Sequence, residues 1–281
     1  WTYFTNKSKG FLAYPVFDVM KHLAYCENIG IIIGRQGSVV GSMPWNLVFM
    51  TDCITDLNIY YRGGGQVFPL YVYSDQQDLY GVTKKPNFKK NIVQKFVSKL
   101  NLEFTSETRV GKAFFTALDI LDYIYAVLHS PQYRDIYDDF LKVDYPRIPY
   151  PTDQDKFWKL VELGKQIREI HLMETTGVAN VSYPVEGTNE VTRRIVKKDF
   201  VITDKKNQIG RIWINEDQYF DNIPVKAWEF YIGGYQPAQK WLKDRKDTVL
   251  SFDDLEHYMN IVNALLETER LMQEIDEVGV I

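Results

Sequence analysis

No apolar run in these 281 residues approaches the roughly 18 needed for a membrane span, so no membrane partner is expected. Cysteine is nearly absent. Cys26 and Cys53 lie too far apart for a zinc knuckle and are too few for a disulfide framework. Two partly buried thiols in a reducing, cytoplasmic compartment are the expectation. There is no initiator Met and no charged-then-apolar leader, so no secretory signal is read. The opening, Trp1–Thr2–Tyr3–Phe4, reads like the inside of a strand and suits a piece of a longer protein. Histidine is sparse too. His22, His129, His171 and His257 are dispersed, three of them within helical patterns, which favours capping or partly buried roles over metal ligation. No P-loop and no Ser-His-Asp arrangement can be assembled. Gly63–Gly64–Gly65 follows Tyr60–Tyr61–Arg62 and precedes another strand, so it reads as a hairpin or loop rather than a cofactor cradle. Asp153–Asp155–Lys156 and Asp244–Lys246 resemble a magnesium-nuclease pattern only loosely, in loop or helical context. Neither catalytic residues nor a metal site are expected.

A basic excess is lacking as well, with 33 Lys and Arg against 37 Asp and Glu, a formal charge of −4. That excludes a uniformly basic nucleic-acid binder, but the charge is unevenly spread. Gly81–Lys99 holds six lysines and no acid, and Glu190–Arg211 holds seven basic residues against Glu190, Asp199 and Asp204. Leu250–Ile281 has eight acids and only Arg270. One side of such a molecule can attract phosphate while the acidic tail faces elsewhere.

With 45% hydrophobic residues the chain can bury a real core, in one large domain or two. Short β-branched and aromatic runs at Ile29–Ile33, Leu47–Thr51, Leu57–Arg62 and Val67–Tyr73 predict strands. Tyr60, Tyr61, Tyr71 and Tyr73 alternate with apolar neighbours there, and most read as core or sheet-face packing. Helices are predicted at 88–100, Asp119–His129, Gln132–Lys142 and Asp153 to about Met173, with a proline-rich extended loop over Asp144–Pro151. Strands return at Ile195–Lys197, Phe200–Thr203 and Arg211–Ile214, the last two joined by a turn over Asp204–Gln208. A short helix over Pro224–Tyr231 and a long one after the N-cap Ser251 complete the chain. This is an α+β architecture: β-rich recognition segments alternate with helical segments, in a mixed or antiparallel sheet flanked by helices. Four parts follow, a β-rich 1–100, a helical 101–175, a second β-rich 176–235 and a C-terminal helical 236–281.

The run FYIGGYQPAQKWLKDRK, Phe230–Lys246, combines two aromatics, a Gly-Gly turn and Pro237, whose fixed φ suits a helix start, with amides and cations. It resembles the C-terminal part of type ISP and type IIG restriction–modification enzymes, which fuse an adenine-specific DNA methyltransferase to a target-recognition domain. WTYFTNKSKGF at 1–11, NIGIIIGRQ at 28–36, TDCITDLNIYYRGGGQVFPLYVY at 51–73, the segment 119–151 and the segment 251–276 resemble the same family. The resemblance thus runs from end to end of the chain.

It implies a sequence-specific double-stranded DNA recognition module that positions a target adenine for an upstream methyltransferase domain, with or without a fused endonuclease. No Pro-Pro pair occurs, so the Asn/Asp-Pro-Pro-aromatic motif of adenine methylation is absent, as is a glycine turn for S-adenosylmethionine. The chain itself is therefore expected to be non-catalytic and to carry no cofactor. S-adenosylmethionine, and Mg if a nuclease is fused, belong to the parent protein. For base reading, the candidates are arginines, lysines and amides beside glycines and turns: Arg35 and Gln36 at a strand end, Arg62 beside the glycine triplet, and Lys205, Lys206, Asn207 and Gln208 at a hairpin tip. Lys7, Ser8 and Lys9 in the KSKG turn, with Lys240, Lys243, Arg245 and Lys246, are the phosphate set. Lys84, Lys85, Lys89 and Lys90 suit a solubilising face equally well. The competing readings are a helical/β docking module and, with 19 tyrosines, a carbohydrate-binding platform without DNA specificity.

Overall fold

Short antiparallel sheets alternate with helices, nine of them α-helices among the described residues, in the α+β arrangement that the sequence pattern predicts. The computed structural model describes residues 17–24, 27–34, 43–60, 64–78, 81–106, 109, 111–175 and 180–280. The chain forms two compact units, Trp1–Arg168 with Gln273–Ile281, and Glu169–Met272. Among the described residues no helix is long and apolar enough to cross a membrane.

In the first unit, helix α1 (Phe17–Ala24) precedes strand β1 (Gly30–Gly34). β1 lies between β2 (Val48–Thr51) and β3 (Gly65–Pro69), antiparallel to both, with Ile31 opposite Met50 and Phe68. Both faces of β1 are covered, which is why GIIIG is a continuous apolar run rather than an alternating one. The stretch expected as a strand from Leu57 begins instead with a 3-10 turn, Leu57–Ile59. There the Asp56 carboxylate accepts from the Asn58 amide at 2.6 Å, a donor that a ladder would need. Tyr60, just after the turn, is buried, stacks on Phe49 and donates its hydroxyl to the Ile32 carbonyl. The run Val67–Tyr73 also divides. β3 ends at Pro69, and β4 (Tyr71–Asp78) forms a separate hairpin with β5 (Gly81–Pro86). Asn28 holds the break, its side chain accepting from the Tyr71 amide and donating to the Tyr71 carbonyl. Cys53, expected to be partly buried, is exposed.

Helix α2 (Lys90–Leu100) ends on Asn101, which takes the left-handed conformation common at helix ends. After the short parallel pair β6 (Glu103–Phe104) and β7 (Phe114–Phe115), α3 (Ala117–His129) starts in a capping box between Thr116 and Asp119. The predicted helix Gln132–Lys142 is two, α4 (Pro131–Ile136) and α5 (Asp138–Leu141), because Tyr137 leaves the helical region. Ser130 caps α4 and also donates to Asp276, whose carboxylate accepts the Gln132 amide, so the last turns of the chain complete a cap 144 positions away. α6 (Gln154–His171) follows the proline-rich loop. Phe96 of α2 gathers Phe115, Tyr123, Tyr150 and Phe157 at centroid distances of 5.4 to 6.3 Å. α3 and α6 meet at Gly164, where a Cβ would lie 1.9 Å from the Asp122 carbonyl oxygen. One turn further, Arg168 pairs two-pronged with Asp122 at 2.7 and 3.2 Å, both side chains over nine-tenths buried.

The second unit holds an antiparallel meander of β8 (Phe200–Asp204), β9 (Ile209–Trp213) and β10 (Tyr219–Pro224), in the order β10-β9-β8. α7 (Val225–Glu229), α8 (Pro237–Lys243) and most of α9 (Phe252–Val278) follow. Its core joins Ile212, Phe220 and Ile223 of the sheet to Trp228, Leu242, Tyr258 and Val262 of the helices. Gly210 leaves room for the Phe200 ring, which would lie 2.3 Å from an added Cβ. Two expectations fail here. Ile195–Lys197 is no strand, since the Asp199 carboxylate takes the Val196 amide and closes a 3-10 turn at Lys197–Asp199. Pro224 precedes α7 instead of sitting in its first turn, and it ends a strand, Tyr219–Pro224, that the sequence pattern does not single out.

Gly164→Ala sets two effects against each other. Helix propensity alone favours alanine by about 1 kcal/mol, whereas the missing space is expected to cost about 3 kcal/mol. The urea midpoint should therefore fall, and a rise would mean that α3 and α6 are not closed at this point. Asp122→Ala, which leaves Arg168 buried without its carboxylate, should cost about 3–5 kcal/mol by the same measurement.

Candidate nucleic-acid interface

The β8–β9 turn owes its shape to one aspartate. The Asp204 carboxylate accepts from the amides of Lys206 and Asn207 at 2.9 and 3.1 Å and from the Asn207 side chain at 2.7 Å. Gln208 closes the turn at φ 53°, and its side-chain amide donates to the Lys205 carbonyl. Asn207 and Gln208 thus commit side-chain donors to the turn itself, while Lys205 and Lys206 are exposed at the tip and enter no ion pair among the described residues. The Asn207 amide, then its side chain, holds the Asp204 carboxyl below the ordinary 3.8.

Behind the tip, the sheet alternates as a half-covered sheet should. Ile212 and Phe220 point inward, and Arg211, Trp213, Tyr219 and Asp221 lie half-exposed on the other face. Arg211 donates through Nε and Nη2 to the two Asp221 carboxylate oxygens, at 3.2 and 2.6 Å. Its guanidinium lies 3.8 Å from the centroid of the Tyr219 ring and 5.8 Å from that of Trp213. The hydrogen bond from Arg211 is the main cause of an Asp221 carboxyl held below its usual range.

The Gly-Gly run is a tight turn with φ of 63° and 80°, closed by reciprocal bonds between Ile232 and Tyr235. Pro237 opens α8, as its fixed φ predicts. Three of the four cations after it are paired: Lys240 with Asp244 at 2.6 Å, Lys246 with Asp247 at 3.0 Å, and Arg245 with Asp254 at 3.8 Å. Arg245 also lies 3.5 Å over the Trp241 ring. Among the described residues Lys243 is exposed without an ion pair, as are Arg193, Arg194 and Lys198. Lys7, Ser8, Lys9, Arg35, Gln36 and Arg62 lie outside the described residues.

Sequence reasoning missed two arrangements. The first is the Arg211 cluster, whose members are read in sequence only as charge and strand filler; the alternation in IGRIW and YFDNIP is the one signal that would have paired them. The second is a cleft of about 870 Å³ in the first unit, lined among others by Tyr71, Lys84, Arg109, Lys112, Trp158 and Lys159. Arg109 lies 4.6 Å over Trp158 and 3.4 Å from Asp119, and Lys84 lies 4.0 Å over Tyr71. Three segments remote in sequence build it, so no local motif announces it. Among the described residues no group of three or more His, Cys, Asp or Glu is placed to hold a metal ion.

The family model described as Type ISP C-terminal specificity domain matches residues 1–274. Three solved structures share the fold. An ATP-dependent Type ISP restriction-modification enzyme, LlaBIII, bound to DNA matches 91% of this chain with 16% of its own, at TM-score 0.60 and 20% identity. A DrdV–DNA complex matches 92% with 25% of its own, at TM-score 0.61 and 19% identity. A nuclease-deletion mutant of the Type ISP restriction-modification enzyme LlaGI, in complex with a DNA substrate mimic, matches 92% with 21% of its own, at TM-score 0.54 and 19% identity. The chain spans a quarter or less of the length of each of these proteins. No curated protein matches it.

The tip geometry carries a pH signature. Asp204 loses its proton more readily in the folded turn than in the unfolded chain, so its contribution is complete above pH 3.8 and is lost as the pH falls through the lowered value. In an NMR titration the Asp204 carboxyl and the Asn207 amide should move together with a midpoint below 3.8. A midpoint at or above that value would contradict the hydrogen-bonded turn.

Proposed function

The chain belongs to the Type ISP C-terminal specificity domain family, and from this we propose that it recognises double-stranded DNA sequence-specifically within a restriction–modification enzyme. In this reading it positions the target adenine for an N6 methyltransferase domain upstream in the same parent protein. S-adenosylmethionine, and Mg where a nuclease is fused, serve those other parts, and this chain makes and breaks no bonds. The observation that carries the reading is the β8–β9 hairpin. It is a two-stranded ribbon with a tip locked from within, two exposed lysines that enter no ion pair among the described residues, and an arginine on its outward face. The major groove admits such a ribbon, and unpaired cations bind phosphate without first breaking a protein ion pair.

Lys205 and Lys206 serve as contacts at the tip, and Lys243 as a phosphate contact on α8. Lys240, Arg245 and Lys246 reach phosphate by exchanging their carboxylate partners for it. Arg35, Gln36 and Arg62 as base readers, and Lys7, Ser8 and Lys9 as phosphate ligands, complete the set on sequence grounds. The carbohydrate reading is less well supported. The outward aromatics Trp213 and Tyr219 are tilted by 58° to each other, so they form no flat platform, and Arg211 already covers the Tyr219 ring.

Binding to random duplex DNA at low and high salt tests this function. Affinity should fall steeply with salt. Lys205→Ala combined with Lys206→Ala should weaken binding to all sequences alike and reduce the log–log salt slope by about 2. Binding that ignores salt, or none at either concentration, would reject DNA recognition in favour of a sugar or protein ligand.

A further inference from the structure

We propose that Arg211 reads a guanine edge in the major groove, with Asp221 and Tyr219 as the residues that position it. This deepens the DNA-reading role proposed above and rests on it. Arg211 lies on the outward face of β9, on the same ribbon as Lys205 and Lys206 and three residues beyond the end of their turn. Val201, its register partner on β8, is half exposed. Tip lysines that hold phosphate would leave this face of the ribbon towards the base edges.

The guanidinium has two edges that each present a pair of parallel N–H donors. One edge, Nε with Nη2, is bound to Asp221. Nη1 and the second hydrogen of Nη2 form the other edge, and Nη1 has no hydrogen-bond partner among the described residues. Two parallel donors match O6 and N7 of guanine, which are both acceptors. Adenine offers N7 but sets its N6 donor against the other N–H, so the same edge rejects it. The ring of Tyr219 beneath the guanidinium and the carboxylate beside it fix its plane and its rotation. The side-chain entropy of orienting a long arginine is then lost on folding rather than on binding. A surface ion pair between two flexible side chains gains little by itself. Here the carboxylate sits on the neighbouring strand and the aromatic two residues before it, a cross-strand arrangement that aims the arginine.

The test is selection from a random duplex library with the unmutated chain and with Arg211→Lys. Lysine keeps the charge opposite Asp221 but has no fork. The unmutated chain should select a motif that contains a guanine, and Arg211→Lys should lose preference at that one position. Its affinity for the original motif should fall roughly 10- to 100-fold, with the salt slope unchanged. On the unmutated chain, 7-deazaguanine at that position, which lacks the N7 acceptor, should cost about tenfold, and this readout does not depend on a variant folding. If Arg211→Lys selects the same motif and 7-deazaguanine is tolerated at every guanine, the assignment is overturned while sequence-specific reading stands. Uniform weakening on all sequences with a shallower salt slope would make Arg211 a phosphate contact and overturn it equally. No motif from the unmutated chain would overturn the DNA-reading role itself, and this assignment with it.

Discussion

The first unit depends on how closely α3 and α6 approach. At Gly164 the two helices come nearer than any side chain allows, and one turn on the buried Asp122–Arg168 pair closes the seam. Taking two charges out of water costs several kcal/mol each, about what their attraction returns, so the pair adds little net stability. What it does is penalise every other register, because a shifted helix strands one charge in the core. The aromatic group around Phe96 depends on that register. Tyr123 lies on α3 and Phe157 on α6, and both meet Phe96 only when the helices are aligned. The cleft beside Trp158 is the same seam seen from its open side, lined by residues of both helices.

In the second unit an uncharged group does comparable work. The buried Gln218 amide accepts from the Asn189 amide and the Asn215 side chain, and donates to the Val185 carbonyl and the Asn189 side chain. Its bonds fix the connection into β10 and so the placement of Tyr219 and Asp221 one and three residues later. Gly187 packs directly against this amide, with no room for a Cβ. The rigid outward face is thus supported from below by satisfied polar groups, the condition under which buried polar networks specify a single arrangement. Paired and unpaired charges also separate. Among the described residues Lys226 and Lys240 are bound to carboxylates, while Arg193, Arg194, Lys205 and Lys206 are not.

Much of this was legible from local chemistry. Ser251 with Asp254 announces a helix start through side chains that satisfy the first backbone amides. Pro237 and the Gly233–Gly234 turn are equally local, since each fixes its own backbone torsions. Two of the errors share a cause. Leu57 and Ile195 carry strand composition, yet a neighbouring aspartate takes a backbone donor and closes a turn. Conversely, Tyr219–Pro224, which composition does not single out, is a strand because Trp213 and Ile212 pair with it across the sheet. Composition reports a preference, and pairing overrides it.

For the candidate site the division is similar. The sequence by itself determined the α+β layout, the hairpin tip at Asp204–Gln208 and the family resemblance, because these rest on torsional preferences and short-range hydrogen bonds. Only the tertiary structure decided which cations remain unpaired, that Arg211 is bound to Asp221 over the Tyr219 ring, and that Arg109 stacks on Trp158 beside a cleft. The physical reason is range. Capping and turn formation act over a few residues, whereas the cation of Arg211 over Tyr219 and that of Arg109 over Trp158 join side chains that only the pairing of strands and the packing of helices bring within 4 or 5 Å.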